Sequence, residues 1–313
     1  MLKRPMKAPG EGVSLDMLKR MRYPIACSAK LDGIRGCATY EGIVSATLKP
    51  IGNQYIQRKL YDPELLGLDG ELIVGSPFRE FEGDDVFNRT TGPVRRSDGE
   101  PDFKFYVFDD FTDKDISYNK RWISRMGSEL MFNNPFVVVL EQRICNSWQE
   151  AIEFEEELIL QGYEGMMART LTSLYKEGRV TLKEGHIYKR KPLEQDEAII
   201  MGAYEQYGNL NEKTTSLLGT STRSSHKENK VGNDTLGGFT LKSDRWEETF
   251  NCGTVIGGTK EWRKEIWEQY KHDPYSILGN IVTYVYQGYG SIDKPRQPRG
   301  KAEFRVADDM TLF

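Results

Sequence analysis

Apolar and polar positions in the first half of the chain alternate with the short period of strands. Ile25-Ala-Cys-Ser-Ala-Lys30, Arg35 to Ile43, Gly70-Glu-Leu-Ile-Val74 and Lys104-Phe-Tyr-Val-Phe-Asp109 are such runs, each bounded by glycine or charged turns. Two helical patterns interrupt them. Ser147-Trp-Gln-Glu150 has the form of a capping box, with apolar Trp148, Ala151, Ile152, Leu158 and Ile159 behind it and Gly162 where a C-terminal cap belongs. Ser117 to Phe132 predicts a second helix with Ile123, Met126 and Leu130 on one face. Strands mixed with helices, without regular alternation, predict an α+β layer fold rather than a doubly wound sheet.

The pattern changes near Lys189 to Gln195, where a domain boundary is placed: residues 1–192 form one domain and 193–313 the other. Beyond it, Glu197-Ala-Ile-Ile-Met-Gly-Ala-Tyr204, Gly238 to Lys242, Glu247 to Cys252 and Ile281 to Gln287 are strand-like. One helix is predicted over Lys260 to His272, with Trp262, Ile266, Trp267 and Tyr270 mostly on one side. A few strands and one helix suit a small all-β barrel such as an OB-fold. The polar stretch Asn209 to Asp234, rich in Ser, Thr, Asn and Lys, is predicted to be a long loop, and loops of that length are usually functional or disordered. There is no internal repeat.

At 313 residues, with 29% charged and 38% hydrophobic residues, the chain has the balance of a two-domain globular protein and not of a disordered one. No apolar run approaches the ~20 residues of a membrane helix, and the charged start Met1 to Lys7 has no apolar core behind it, so a cytoplasmic protein is expected. Cys27, Cys37, Cys145 and Cys252 lie far apart, without zinc-ligand or disulfide-framework spacing, and three histidines make a histidine-based site an unattractive reading. The net charge of −4 divides as −1 before Leu193 and −3 from there on. Any nucleic-acid site therefore has to be a local basic face on a nearly neutral body.

The sharpest feature is Lys30-Leu-Asp32-Gly33-Ile-Arg35. Alone, it would be a strand followed by an Asp-Gly turn with solvated charges. In order behind it come Glu71 in Leu68-Asp-Gly-Glu-Leu-Ile-Val74, Phe108 in an aromatic strand, Glu164 opening Glu-Gly-Met-Met-Ala-Arg169, and Lys189-Arg-Lys191. This order and spacing resemble the covalent nucleotidyltransferases, most closely the small ATP-dependent DNA ligases of bacteriophages. The second half agrees: Leu236-Gly-Gly-Phe-Thr-Leu241, Phe250-Asn-Cys-Gly-Thr254, Trp262, Trp267 and Tyr284-Val-Tyr-Gln287 resemble the ligase OB domain, and Pro295 to Arg305 resembles the family's closing motif.

The resemblance implies an antiparallel, ATP-grasp-like nucleotidyltransferase domain followed by the OB-fold domain. It implies ATP and Mg²⁺ as cofactors and nicked duplex DNA as partner, sealed at 5′-phosphate/3′-hydroxyl nicks in DNA repair, replication and recombination. Lys30 is the implied nucleophile, which forms a phosphoramidate with AMP. A lysine at its ordinary pKa is protonated, and burial with the cations Lys189 and Lys191 nearby would activate it. Glu71 and Glu164 offer hard oxygen atoms for Mg²⁺ or contacts to the ribose. Arg35 would contact phosphate or sugar, and Phe108 would stack on adenine. Asp32 is implied to act in the DNA-dependent steps. Arg296, Arg299 and Arg305 would orient the leaving pyrophosphate, and Lys213, Arg223, Lys227 and Lys230 of the polar stretch would fold onto DNA as a clamp.

Three features depart from the family or stand outside its motifs. The nucleophile's strand is normally followed by a Ser-Arg pair, and here Ser45 precedes Ala46, with Lys49 or Arg58 expected to compensate. Only about 29 residues precede Lys30, with no separate N-terminal DNA-binding domain among them, and neither a zinc module nor a nicotinamide-recognising domain is present, which favours ATP over NAD as adenylate donor. The tail Asp309-Met-Thr-Leu312-Phe313 resembles the short peptides that dock bacterial sliding clamps. A monomer in the cytoplasm, the host's if the chain is phage-encoded, is expected. The rival readings are an RNA ligase or mRNA-capping guanylyltransferase of the same superfamily, and a nick-binding protein that has lost catalysis.

Overall fold

Each strand run of the first half contains strand in the structure, a computed structural model that describes residues 2–81, 83–126, 133–191, 194–215, 221–223, 229–286 and 294–305. The chain divides into two compact units, residues 1–191 with 215–220, and residues 192–214 with 221–313.

The first unit contains, in chain order, α1 (Leu15–Lys19), β1 (Ile25–Ala29), β2 (Ile34–Thr39), β3 (Gly42–Val44), α2 (Gln54–Lys59), β4 (Leu68–Val74), α3 (Val86–Arg95), β5 (Phe103–Asp110), α4 (Tyr118–Met126), β6 (Val137–Val139), β7 (Arg143–Cys145), α5 (Trp148–Leu160), β8 (Met166–Thr170) and β9 (Ile187–Arg190). Two sheets result, one in the order β3-β2-β4-β5-β6 and one in the order β7-β1-β8-β9. All their ladders are antiparallel except β5 with β6.

The run expected as one strand from Arg35 to Ile43 is a hairpin, turning at Tyr40 and Glu41. Gly42, at φ 99°, occupies the left-handed backbone region that lets the turn close. Around α5, the Ser147 hydroxyl accepts from Glu150 N, the Glu150 carboxylate accepts from Asn146 N at 2.9 Å, and Gly162 has φ 91° just past the helix. The second helix, expected over Ser117 to Phe132, is described as α4 up to Met126, with Ile123 exposed; residues 127–132, Leu130 among them, lie outside the described residues.

Strand alternation determines how the two sheets use their faces. In the five-stranded sheet, Ile34, Ala38, Leu68, Leu72, Phe105 and Val107 share one face and join an apolar core with α2 and α3. The alternate positions, Arg35, Asp69, Glu71 and Tyr106, take the other. In the four-stranded sheet, Cys27, Ala29, Met166 and Ala168 pack into a second core with Ala151, Phe154 and Leu158 of α5. The alternate positions there align Ser28, Met167 and Lys189 in one cross-strand row and Ala26, Arg169 and Ile187 in the next.

The second unit contains β10 (Glu194–Asn209), β11 (Lys213–Thr215), β12 (Ser221–Arg223), β13 (Lys230–Lys242), β14 (Phe250–Cys252), β15 (Thr254–Ile256), α6 (Lys260–His272), β16 (Ile281–Tyr286) and β17 (Arg299–Arg305). Six strands form a sheet in the order β14-β13-β10-β16-β17-β15, while β11 and β12 pair as a short ribbon. The core gathers Phe239, Leu241, Trp246, Phe250, Ile266 and Tyr284. α6 has the predicted ends, with the Thr259 hydroxyl accepting from Trp262 N as the N-cap.

The long loop expected over 209–234 is in part strand. Asn209 pairs with Lys230 and Tyr207 with Gly232, so β10 and β13 continue outward as a two-stranded ribbon. Val231, Gly232, Asn233 and Asp234 are exposed. A ribbon with neither face buried has no apolar alternation to display, so its composition looks like that of a loop.

Candidate active site

Lys30 follows β1 directly, and its backbone N–H donates to Gly165 O at 2.8 Å, which sets the lysine beside Glu164. The Glu164 carboxylate then bridges two amines: one oxygen accepts from Lys30 Nζ and the other from Lys191 Nζ. Glycine at 165 is required on two counts. Its φ is 153°, and a Cβ there would lie 2.3 Å from Arg190 O. Gly33 permits the corresponding approach on the other sheet, since its Cβ would lie 2.3 Å from Leu72 O and 3.0 Å from Glu71 Cγ.

A cavity of about 310 Å³ opens at Lys30. Arg35, Glu71 and Phe108 line it from the five-stranded sheet, and Ser28, Met167, Arg169, Ile187 and Lys189 from the four-stranded one. A larger hollow of about 660 Å³ lies elsewhere on this unit, around Tyr40, Leu66 and Phe111, and contains none of the motif residues.

Phe108 enters the cavity through a β-bulge. On β4, Asp69 and Gly70 are consecutive, whereas their β5 partners are Asp109 and Val107, so Phe108 is the extra residue. Bulges re-aim a side chain in this way. The Arg35 guanidinium lies 4.6 Å from the Phe108 ring centre and that of Arg169 lies 5.4 Å away. Phe105 is core, and Tyr106 packs on the second core without lining the cavity.

Arg35 is fixed by Asp69, a residue the motif reading passed over. Its Nε and Nη2 each donate to an Asp69 oxygen at 2.6 Å, Tyr175 OH donates to the same carboxylate at 2.6 Å, and Met6 O accepts from Arg35 at 3.1 Å. Arg169 is held in the same manner: it donates to buried Asp109, which also accepts from Arg121 Nε at 2.9 Å. In the sequence each is only an aspartate in a strand, in Leu68-Asp-Gly and Phe108-Asp-Asp, and nothing local names its partner.

Glu71, by contrast, makes no hydrogen bond or ion pair with another side chain among the described residues, although it lines the cavity. Burial pushes its carboxyl up to about 7 against the opposing pull of Arg35 and Lys30, with Asp32 and Asp69 adding to the rise. Burial also lowers Lys189, assisted by the charges of Lys30 and Arg179. Asp32 sits in the turn between β1 and β2.

No group of three or more His, Cys, Asp or Glu suited to hold a metal exists among the described residues. The carboxylates near Lys30 are Glu71, which lines the cavity, and Glu164, and Mg²⁺ bound chiefly through phosphate oxygens would need one or two such ligands. Glu71 offers an unpartnered carboxylate for this purpose, whereas both Glu164 oxygens are already engaged by lysines.

Of the cations expected to compensate for Ala46, neither Lys49 nor Arg58 lines the cavity. Ala46 does, as do Lys7 and Arg179, which no motif had singled out. Lys7 and Arg179 are distant in sequence and become neighbours only through the fold. In the second unit, Arg296 precedes β17 while Arg299 and Arg305 are its ends; Arg305 pairs with Glu197 at 2.8 Å. Lys230 opens β13 on the ribbon, and Lys213 and Arg223 are on β11 and β12. Lys227, Leu312 and Phe313 lie outside the described residues.

By sequence, the chain matches no family model and no curated protein. By structure it is similar to DNA ligases over nearly its whole length. The Chlorella virus DNA ligase-adenylate superposes with a TM-score of 0.52 at 24% identity, covering 99% of this chain and 100% of that one. A Lig E DNA ligase, described as binding DNA with a minimal scaffold, gives a TM-score of 0.64 at 20% identity, covering 91% and 93%. The chain therefore shares the α+β fold of these DNA ligases. No described helix is long and apolar enough to cross a membrane.

Proposed function

We propose that the protein is an ATP-dependent DNA ligase that seals 5′-phosphate/3′-hydroxyl nicks through a lysyl-AMP intermediate. The observation that carries this reading is the pairing of Glu164 with both Lys30 and Lys191, where Lys30 lines a cavity together with Phe108, Glu71 and Lys189.

In the first step the Lys30 amine, released from Glu164 and deprotonated, attacks the α-phosphorus of ATP. A P–N bond forms, the bond to the bridging oxygen breaks, and pyrophosphate leaves. Lys189 and Lys191 stabilise the charge on the α-phosphate, while Arg296, Arg299 and Arg305 serve the leaving pyrophosphate. Phe108 stacks on adenine, and Arg35, held rigid by Asp69, contacts sugar or phosphate. Glu71 and Glu164 are the carboxylates that would hold Mg²⁺, which would supply neutralisation of the phosphate charge. A 5′-phosphate oxygen then takes AMP from Lys30, which regains its lone pair. Finally the 3′-hydroxyl attacks the 5′-phosphorus and AMP departs, with Asp32 acting in these DNA-dependent steps.

Lys230 on the ribbon, with Lys213, Arg223 and Lys227, contacts DNA phosphates with little sequence preference. Leu312 and Phe313 are the candidate contact to a sliding clamp, and a pull-down unchanged by their removal would dismiss it. The protein acts as a cytoplasmic monomer in this reading. Discharge of the AMP adduct by nicked duplex DNA, and not by nicked RNA, tests the assignment against an RNA ligase. Labelling by ATP and not GTP tests it against a capping enzyme.

A further inference from the structure

The larger hollow of the first unit, about 660 Å³, has the size of a small-molecule site, for which roughly 300–1,000 Å³ is usual. Its floor is apolar. Leu2, Val44 and Phe111 line it and are buried members of one core cluster. The segments that carry them are tied backbone to backbone: Gly67 N donates to Ala38 O at 3.0 Å, and Phe111 N donates to Gly67 O at 2.8 Å. The hollow is therefore built into the fold and lies within one unit.

Its charge is opposite to that of the Lys30 cavity. Glu41, Asp113 and Asp115 line it as exposed carboxylates, and Lys114 is the one cation among the lining residues. Lys114 is already paired with Glu177, which is not part of the lining. None of the three carboxylates makes an ion pair among the described residues; Asp113 accepts from Asp115 N at 3.1 Å. Beside them stands Tyr40 at the turn between β2 and β3, its side chain 86% exposed. Such a rim repels anions, DNA among them, and attracts a cation, which can also lie against the tyrosine ring. The apolar floor adds the gain from removing a hydrocarbon body from water.

We propose that this hollow is a second ligand site, taking a small organic cation whose apolar body rests on the floor and whose ammonium or guanidinium group meets the acidic rim. It shares no lining residue with the Lys30 cavity, so the inference does not depend on the ligase reading.

Tryptamine serves as the probe and indole-3-propionate as its counterpart of opposite charge, each titrated calorimetrically into the full chain at low salt. Joint replacement by Glu41→Gln, Asp113→Asn and Asp115→Asn is expected to weaken tryptamine about tenfold and to leave indole-3-propionate no weaker than before. Tyr40→Ala should weaken tryptamine a few-fold through loss of the ring. Added salt should weaken tryptamine in the wild type. Both variants should melt with the wild type, because every altered side chain is exposed. No tryptamine binding up to roughly 10 mM would overturn the site. So would tryptamine binding that is indifferent to salt and to the triple replacement, or a triple replacement that weakens both probes alike.

Discussion

Both oxygens of the buried Asp69 carboxylate are held by the single side chain of Arg35, whose Nε and Nη2 each lie 2.6 Å away, and Tyr175 adds a third donor. Asp69 therefore decides where Arg35 points. Asp69→Asn keeps the shape but leaves the guanidinium uncompensated, so a loss of about 3–5 kcal/mol in denaturant unfolding is expected. AMP uptake should fall with it. Joint replacement by Arg35→Met and Asp69→Leu should recover much of the stability and none of the uptake, which separates the positioning role from a purely structural one.

Phe108 owes its place to the bulge opposite Asp69 and Gly70. Loss of the ring in Phe108→Ala is expected to raise the ATP concentration for half-maximal adenylation about tenfold or more, given ~1–3 kcal/mol for stacking on a base. Phe108→Trp should retain most of it. Steady-state adenylation against ATP concentration measures both.

Gly165→Ala would put a methyl group 2.3 Å from Arg190 O at a φ of 153°. A destabilisation of about 1–3 kcal/mol is expected. Because Lys30 N donates to Gly165 O, the displacement reaches the nucleophile. Intact mass should show slower AMP uptake even under conditions where circular dichroism reports a folded chain.

The carboxyl of Glu71, raised by burial from 4.5 to about 7, links stability to pH. Between these values the folded protein keeps a proton that the unfolded chain has released. The contribution is complete below the unfolded value and is lost as pH rises through about 7. In metal-free buffer with EDTA, the denaturation midpoint should decline across this window, and Glu71→Gln should flatten the decline. A wild-type midpoint insensitive to pH there would contradict the partly buried placement of Glu71, without a side-chain partner among the described residues.

Local signals in the sequence carried far where they were complete. The helix over Lys260 to His272 begins on the Thr259 cap, and α5 has its Ser147 cap and Gly162. Period-two alternation holds along β5 at Phe103, Phe105 and Val107, whose face is core. Alternation cannot reveal a bulge, however, so the reason Phe108 enters the cavity emerges only from the pairing of β4 with β5. The ribbon continuing β10 and β13 was hidden by its exposure on both faces. Asp69 and Asp109 are invisible as anchors until Arg35 and Arg169 are brought to them, and Lys7 meets Arg179 across 172 residues of chain. The motif residues of the first unit, Lys30, Arg35, Glu71, Phe108 and Lys189, were legible as an ordered set along the chain, and the fold brings all five to the lining of one cavity.

Intact mass after incubation with ATP and Mg²⁺, followed by addition of nicked duplex DNA, tests the central claim most directly. The wild type should gain one AMP and lose it as the nick is sealed, and Lys30→Ala should gain none. An adduct formed equally well without Lys30, or no gain with ATP at all, would contradict the account.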